Sequence, residues 1–335
     1  MRGIRRLIAS ALAGLGVTLG AVVGCASPDP VRIVLLVPDD DDQRWLRVDA
    51  PAFIDLVEAT CDGCVVTVSD AGGDPAVQAT QVAEAAAAGA GVLVIAAVDP
   101  AALTEAVADV GIPIISFSRR LPGVRHHVGT DPVVVGELQG EALVAADAER
   151  VLLVHGPASD PEAVQQRDAV REVLARAGVE IVGELEAGSP GQVSEWVASR
   201  WAERRVDAIH AADDVLAAAV IDALRAAGVR RLPVVTGAGA ELDAVRRIVA
   251  GEQTMTVLPA AAAEAERAAE LAVATLTRES APVGQEVSGV DTHLFEPRAV
   301  TVGSLADTVL RSRFLGVAEI CEGDVARRCT ELGLR

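Results

Sequence analysis

The sequence predicts an α/β protein of two doubly wound lobes with parallel sheets. Three observations carry this. Short apolar runs rich in Val, Ile and Leu alternate with amphipathic or Ala-rich segments from residue 31 to residue 278. Strands alternating with helices build a parallel sheet covered on both faces. The series runs twice, once up to residue 129 and again from residue 151, which divides the chain into two units. The chain has 335 residues and is 51% hydrophobic, enough for cores of ordinary size and too apolar for disorder.

The first series reads as follows. Residues 31–37 form an apolar strand, 39–43 its acidic loop, and 44–59 the first helix. A strand at 65–69 precedes an Ala-rich helix at 74–88, with Pro75 in its first turn. A strand at 92–96 and a helix at 100–110 follow. Residues 112–117 form a buried strand between turn signals and end in Ser118, Arg119 and Arg120. Ligands of open α/β sheets sit outside the carboxyl ends of strands, so this polar group marks a cleft. Adjacent residues at a strand end point to opposite sides, so one of Arg119 and Arg120 is expected in the cleft and the other in solvent. After the Pro122–Gly123 turn, a strand at 126–129 leads through Thr130, Asp131 and Pro132 into a helix at 133–146.

The second series pairs strands at 151–155, 179–185, 206–211 and 232–236 with helices at 161–177, 191–204, 214–227 and 241–250. A long helix at 260–278 follows.

The formal net charge is −19, which argues against nucleic acid and anionic membrane surfaces as partners. The chain lacks Lys, Asn and Tyr altogether; the joint loss suggests codon bias. The acidic run of residues 39–42 lacks the Gly and distal Glu of a calcium loop and reads as a solvated, helix-capping stretch. The five histidines are scattered without metal spacing, and no GxSxG, P-loop or HExxH pattern occurs. No enzyme, metal or cofactor is expected.

The N-terminus carries Arg2, Arg5 and Arg6, then an uncharged apolar segment at residues 7–23, then Gly24 and Cys25. This is the pattern of a signal peptide over residues 1–24, with a linker at 25–30. The apolar segment is shorter than the roughly 20 residues of a spanning helix. Its Val-x-Gly-Cys ending resembles a bacterial lipobox, so Cys25 is expected to be acylated. The chain would then be exported and held by lipid on the outer face of the cell membrane. Cys61 and Cys64, and Cys321 and Cys329, form two local pairs, read outside the cytoplasm as disulfides. The competing readings are a redox motif, which would open a helix rather than precede a strand, and a zinc site, which would need the two pairs to converge.

The sequence IPII…RR…VGTD…VGELQGEALV, within residues 112–144, resembles the xylose-type branch of the sugar-binding proteins that feed ABC importers. The resemblance extends over residues 31–332, through VDAIHAADDVLAAAVIDAL at 206–224, GEQTMTV at 251–257 and HLFEPRAVTV at 293–302. It implies the type I periplasmic-binding-protein fold with three crossovers between lobes. The N-terminal lobe would comprise 31–129 plus 259–295, and the C-terminal lobe 130–258 plus 296–335. It also implies a monomer that binds a sugar or polyol between the lobes and presents it to an ABC permease.

By the same resemblance, Arg44 and Trp45 match an Arg-Trp pair that touches sugar, and Arg119 the Arg of an Asp-Arg pair, which puts Arg119 in the cleft and leaves Arg120 to solvent. Asp131 matches the Asp of an Asp-Asn pair. Asp213 and Asp214 match Asn-Asp, and Gly239 the site of a functional Asp. Phe117 adds an aromatic at the same sheet edge. Rings stack on sugar C–H faces and charged forks bind hydroxyls. Ser118, Pro132, Gly239 and Pro259 stand where the family has gripping groups, so the site reads as diverged. The other reading is a degenerate or sensor-type protein that docks to partners or binds a non-sugar solute.

Overall fold

The computed structural model describes residues 30–39, 44–187, 189–203 and 206–334. The expected signal peptide, Cys25 and residues 40–42 of the acidic run lie outside the described residues.

The chain begins with β1 (Val31–Val37), α1 (Ala50–Thr60), β2 (Cys64–Asp70), α2 (Pro75–Ala87), β3 (Val92–Ala96), α3 (Thr104–Ala108), β4 (Ile114–Phe117) and β5 (His126–Thr130). It continues with α4 (Pro132–Ala145), β6 (Arg150–His155), α5 (Pro161–Ala177), β7 (Glu180–Glu186), α6 (Pro190–Glu203), β8 (Ala208–Ala211), α7 (Asp214–Ala226), β9 (Val234–Val235) and α8 (Leu242–Ala250). The last elements are β10 (Thr256–Leu258), α9 (Ala261–Thr277), β11 (Gln285–Val287), β12 (Val290–Phe295), β13 (Arg298–Val300) and the short tail helices α10 (Val317–Ile320) and α11 (Ala326–Glu331).

Two main sheets result. The first has seven strands in the order β11-β12-β5-β4-β3-β1-β2; the second has four, β7-β6-β8-β9. Pairing is parallel throughout except at β11–β12. The β3 strand and residues 33–37 of β1 read as unbroken apolar runs because both faces are covered there. On the first sheet, α1 and α9 bury one face and α2 and α3 the other. On the second, α6 and α7 cover one face and α4 and α5 the other. Helix α4 presses so closely on α5 that a Cβ at Gly136 would stand 2.2 Å from the Gln166 carbonyl oxygen, which is why glycine is needed in this helix.

The chain passes between the two sheet systems after β5, after β10 and after β12, and β10 pairs with β13 in a two-stranded antiparallel ribbon. The sequence reading overlooked β11, which closes a hairpin on β12 through Ser288 and Gly289, with φ of 51° and 78°. Two positive φ values in a two-residue loop are the turn that suits the twist of a hairpin. The helix expected at 100–110 shrinks to α3, because Asp99 spends its side chain on the Ala101 and Ala102 N–H groups and makes a turn first. The structure joins Cys61 to Cys64 and Cys321 to Cys329, with Cα separations of 5.5 and 5.7 Å.

Candidate functional site

The carboxyl ends of β1, β3 and β4 carry Asp39, Val98 and Ser118–Arg119, while those of β6 and β8 carry Gly156 and Asp213. Of the polar side chains that the sequence singles out, Arg119 lies at the first of these edges and Asp213 at the second, while Asp131 follows the end of β5.

At the first edge, residues 45–49 make one wide, π-type turn ahead of α1. The extra residue in that turn brings both Trp45 and Asp49 inward. Trp45 is 6% exposed and meets the fully buried ring of Phe117 edge-on, with centroids 5.7 Å apart. The Arg44 guanidinium lies 4.6 Å above the Trp45 ring. It also binds Asp49 at 3.0 Å and Glu264 at 2.9 Å. Both carboxylates are 0% exposed. Thr130 Oγ1 donates to the other oxygen of Glu264 at 2.6 Å. Arg44, Trp45 and Phe117 are thus brought together, with most of both aromatic rings given to the core.

At β4, Ser118 takes a left-handed conformation, φ 64°, and its N–H donates to the Val128 carbonyl at 2.8 Å. This kink turns the following pair differently from the simple alternation expected. Arg119 is exposed and its Nη1 donates to the Val98 carbonyl at 2.8 Å. Arg120 is half-buried rather than solvent-facing, because its Nη2 reaches the Val287 carbonyl of the overlooked hairpin at 2.6 Å.

Asp131 and Asp213 are helix caps. Asp131 accepts from the Val133 N–H at 2.9 Å and Asp213 from the Leu216 N–H at 2.7 Å. Burial pushes the Asp213 carboxyl up, while the Leu216 N–H and the Arg119 guanidinium act against that rise. Asp214 lies 0% exposed inside the second unit. It accepts from Gln253 Nε2 at 2.7 Å, Thr256 Oγ1 at 2.8 Å and the Glu241 N–H at 3.2 Å. Burial pushes its pKa up to about 6 against those donors. A Cβ at Gly237 would stand 2.2 Å from Asp214 Oδ1, so the carboxylate and the glycine loop fix one another. Gly239, at φ 127°, passes beside the same carboxylate. Asp214 therefore shapes the 237–241 loop from beneath, and the sequence has no signal separating that position from Asp213.

A cavity of about 610 Å³ lies beside the first edge, lined by Asp39 and Arg44 on one side and by Ala240, Glu241, Arg246 and Glu319 on the other; of the expected ligand-binding residues only Arg44 lines it. Arg47 and Glu319 form an ion pair across the same boundary. The Arg47 guanidinium, aided by the Gly316 N–H, holds Glu319 below the usual carboxylate range against its partial burial. Asp49 and Glu264 escaped the sequence reading. Glu264 is the acid in the first turn of an otherwise Ala-rich helix, a position that ordinarily signals only dipole complementarity.

The chain matches the family model described as periplasmic binding protein domain over residues 33–280. It is 29% identical over 335 aligned residues to the D-xylose-binding periplasmic protein of Haemophilus influenzae, covering 92% of this chain and 97% of that one. It is 26% identical over 308 residues to the D-xylose-binding periplasmic protein of Escherichia coli, covering 87% and 92%. In fold it is similar to the crystal structure of an ABC transporter solute-binding protein from Clostridium phytofermentans with bound β-D-glucose. There the TM-score is 0.73 at 21% identity, with 86% and 99% of the two chains covered.

Proposed function

The chain belongs to the periplasmic binding protein domain family, and from that premise we propose that it captures a sugar-like solute between two lobes and delivers it to an ABC importer. The lobes are residues 31–129 with 259–295, and 130–258 with 296–335. Sugar capture rests on the kinship with D-xylose-binding proteins. The observation that carries the cleft is the placement of Arg119 at the carboxyl end of β4 in the first sheet and of Asp213 at the carboxyl end of β8 in the second. A guanidinium at one sheet edge and a carboxylate at the other would bind the hydroxyls of a solute as the two lobes close on it.

The solute differs from D-xylose in this proposal. Ser118, Pro132, Gly239 and Pro259 offer no charged group where the family grips its sugar. A pocket built around hydroxyls discriminates by leaving polar groups unpaired when a partner is missing. Asp131, Asp213 and Glu241 leave an acidic lining that suits a polyol or an amine-bearing sugar. The protein is further proposed to be exported and anchored through Cys25. Replacing Cys25 with Ala and fractionating cells tests the anchor; unchanged membrane association counts against it. Calorimetric titration with D-glucose, D-xylose and myo-inositol tests the binding, with saturable heat from a solute other than D-xylose as the expected outcome.

A second reading has its own support. The Arg44 guanidinium is already held by two buried carboxylates, which leaves less of it for a solute. A protein that only docks to partners would show no heat with any of the three.

A further inference from the structure

We propose that Glu264 is a positioning residue that ties the Arg44 side of the cleft to the segments joining the two sheet systems. The inference rests on the reading of a two-lobed protein that closes on a solute.

Glu264 sits in the first turn of α9, just beyond the second passage between the sheets. Its Oε2 takes the Arg44 guanidinium at 2.9 Å, and its Oε1 takes the Thr130 hydroxyl at 2.6 Å. Thr130 is the last residue of β5, where the first passage begins. The next residue, Asp131, donates its N–H to the Phe295 carbonyl at 2.9 Å, and Phe295 ends β12 at the third passage. One fully buried carboxylate therefore links the cleft arginine to the first passage directly and to the third through one peptide bond.

Stability alone gives little reason for this arrangement. A buried ion pair is often no better than apolar packing, whereas it holds a geometry that apolar groups would not. Ala265, Ala268 and Ala269 on the same helix are fully buried, so Glu264 is a charged position on an otherwise apolar face. The helix N-terminus favours the carboxylate there. The Thr130 hydroxyl, approaching at 2.6 Å, fixes its second oxygen.

The test uses hydrogen exchange on the full chain, without solute, comparing wild type with Glu264→Gln and Thr130→Val. Both replacements keep side-chain size, and Thr130→Val removes a single hydrogen bond. Exchange at the Asp131 amide and in the peptide around Phe295 is expected to rise at least about tenfold in each, since each loses a tie worth roughly one hydrogen bond to a charged group. Peptides from α2, α3 and the second sheet should stay within about twofold. The double variant should exceed Glu264→Gln alone by little, because both act through one link. Unchanged exchange at the passages would overturn the proposal, as would an equal rise across the whole first sheet, the mark of a packing role. Binding of D-glucose, D-xylose and myo-inositol to the wild type is measured in parallel. A wild type that ignores all three counts against the sugar reading, while the exchange pattern still decides the role of Glu264.

Discussion

Arg44 and Glu264 are 220 positions apart in the chain, yet their side chains meet at 2.9 Å in the interior. Asp49 completes the clamp at 3.0 Å. The arginine expected to offer an open fork to a solute is thus also the cation that two buried carboxylates depend on. Removing one partner of such a cluster costs more than the cluster contributes, because charge is left without compensation. Arg44→Met is expected to lower stability in urea denaturation by about 3–5 kcal/mol. Arg44→Lys should recover only part of this, since a single ammonium cannot serve two carboxylates in a fixed fork. A loss for Arg44→Met well under 1 kcal/mol would show that the clamp opens freely.

The acid-base behaviour should carry two opposed contributions. The folded pKa of Asp214, about 6 against 3.8, is raised by burial, so its contribution is fully present below the unfolded value and is lost as pH rises through about 6. His210 is depressed from 6.5 to about 3, by burial first and then by His155. Its contribution is present above its unfolded value and is lost as pH falls. Each slope approaches about 1.4 kcal/mol per pH unit per proton, with opposite sign. Asp214→Asn removes one of them. Relative to wild type, its stability should therefore climb between about pH 4 and 6, by roughly 2–3 kcal/mol in all. Parallel profiles for the two proteins would contradict the buried carboxyl.

Arg119 and Arg120 should separate cleanly. Arg119→Ala is expected to weaken solute binding by more than tenfold, as losing a charged contact costs about 2 kcal/mol or more. Its own support is one carbonyl, so stability should change little. Arg120→Ala releases the tie to Val287. It should loosen the β11–β12 hairpin by about 1 kcal/mol and leave binding unchanged. Calorimetry and urea melts on both variants check this. The reverse assignment would place Arg120 in the cleft instead.

Much of the fold was legible because periodicity and turn chemistry agree. The Pro161–Ala177 helix and the Val92–Ala96 strand carry capping or apolar signals that no tertiary contact overrides. Residues 232–236 show the opposite case. Pairing with β8 secures only Val234–Val235 as strand, and Thr236 joins the neighbouring Met255 by a single bridge. The Gln285–Val287 strand is polar, exposed and short, so it offers no apolar alternation to read. At the candidate site, residue types pointed to the sheet edges but gave no directions. Asp213 and Asp214 are adjacent, and only the fold decides that one caps a helix beside the cleft while the other is sealed among Gln253 and Thr256. Asp49 and Glu264 were invisible because the pairing with Arg44 depends on packing between α1 and α9.

The tail disulfide should contribute more than the other. Cys321–Cys329 closes a loop with a sequence separation of 8, against 3 for Cys61–Cys64. Loop-closure entropy gives about 2.5 kcal/mol for the former and somewhat less for the latter. Replacing Cys321 and Cys329 with Ser should lower stability by about that amount and loosen the tail packed against α8. Non-reduced peptide mapping that finds free thiols or crossed pairs would overturn both assignments.

The most direct test of solute capture is a thermal-shift panel of pentoses, hexoses, polyols and amine-bearing sugars on the wild-type protein. A solute at about 100 times its dissociation constant stabilises the native state by about 2.7 kcal/mol, enough to move the melting point by several degrees. The account predicts a clear upward shift with a hexose, a polyol or an amine-bearing sugar, and a smaller one or none with D-xylose. A largest shift with D-xylose would contradict the diverged site, and a flat response across the panel would contradict solute capture itself.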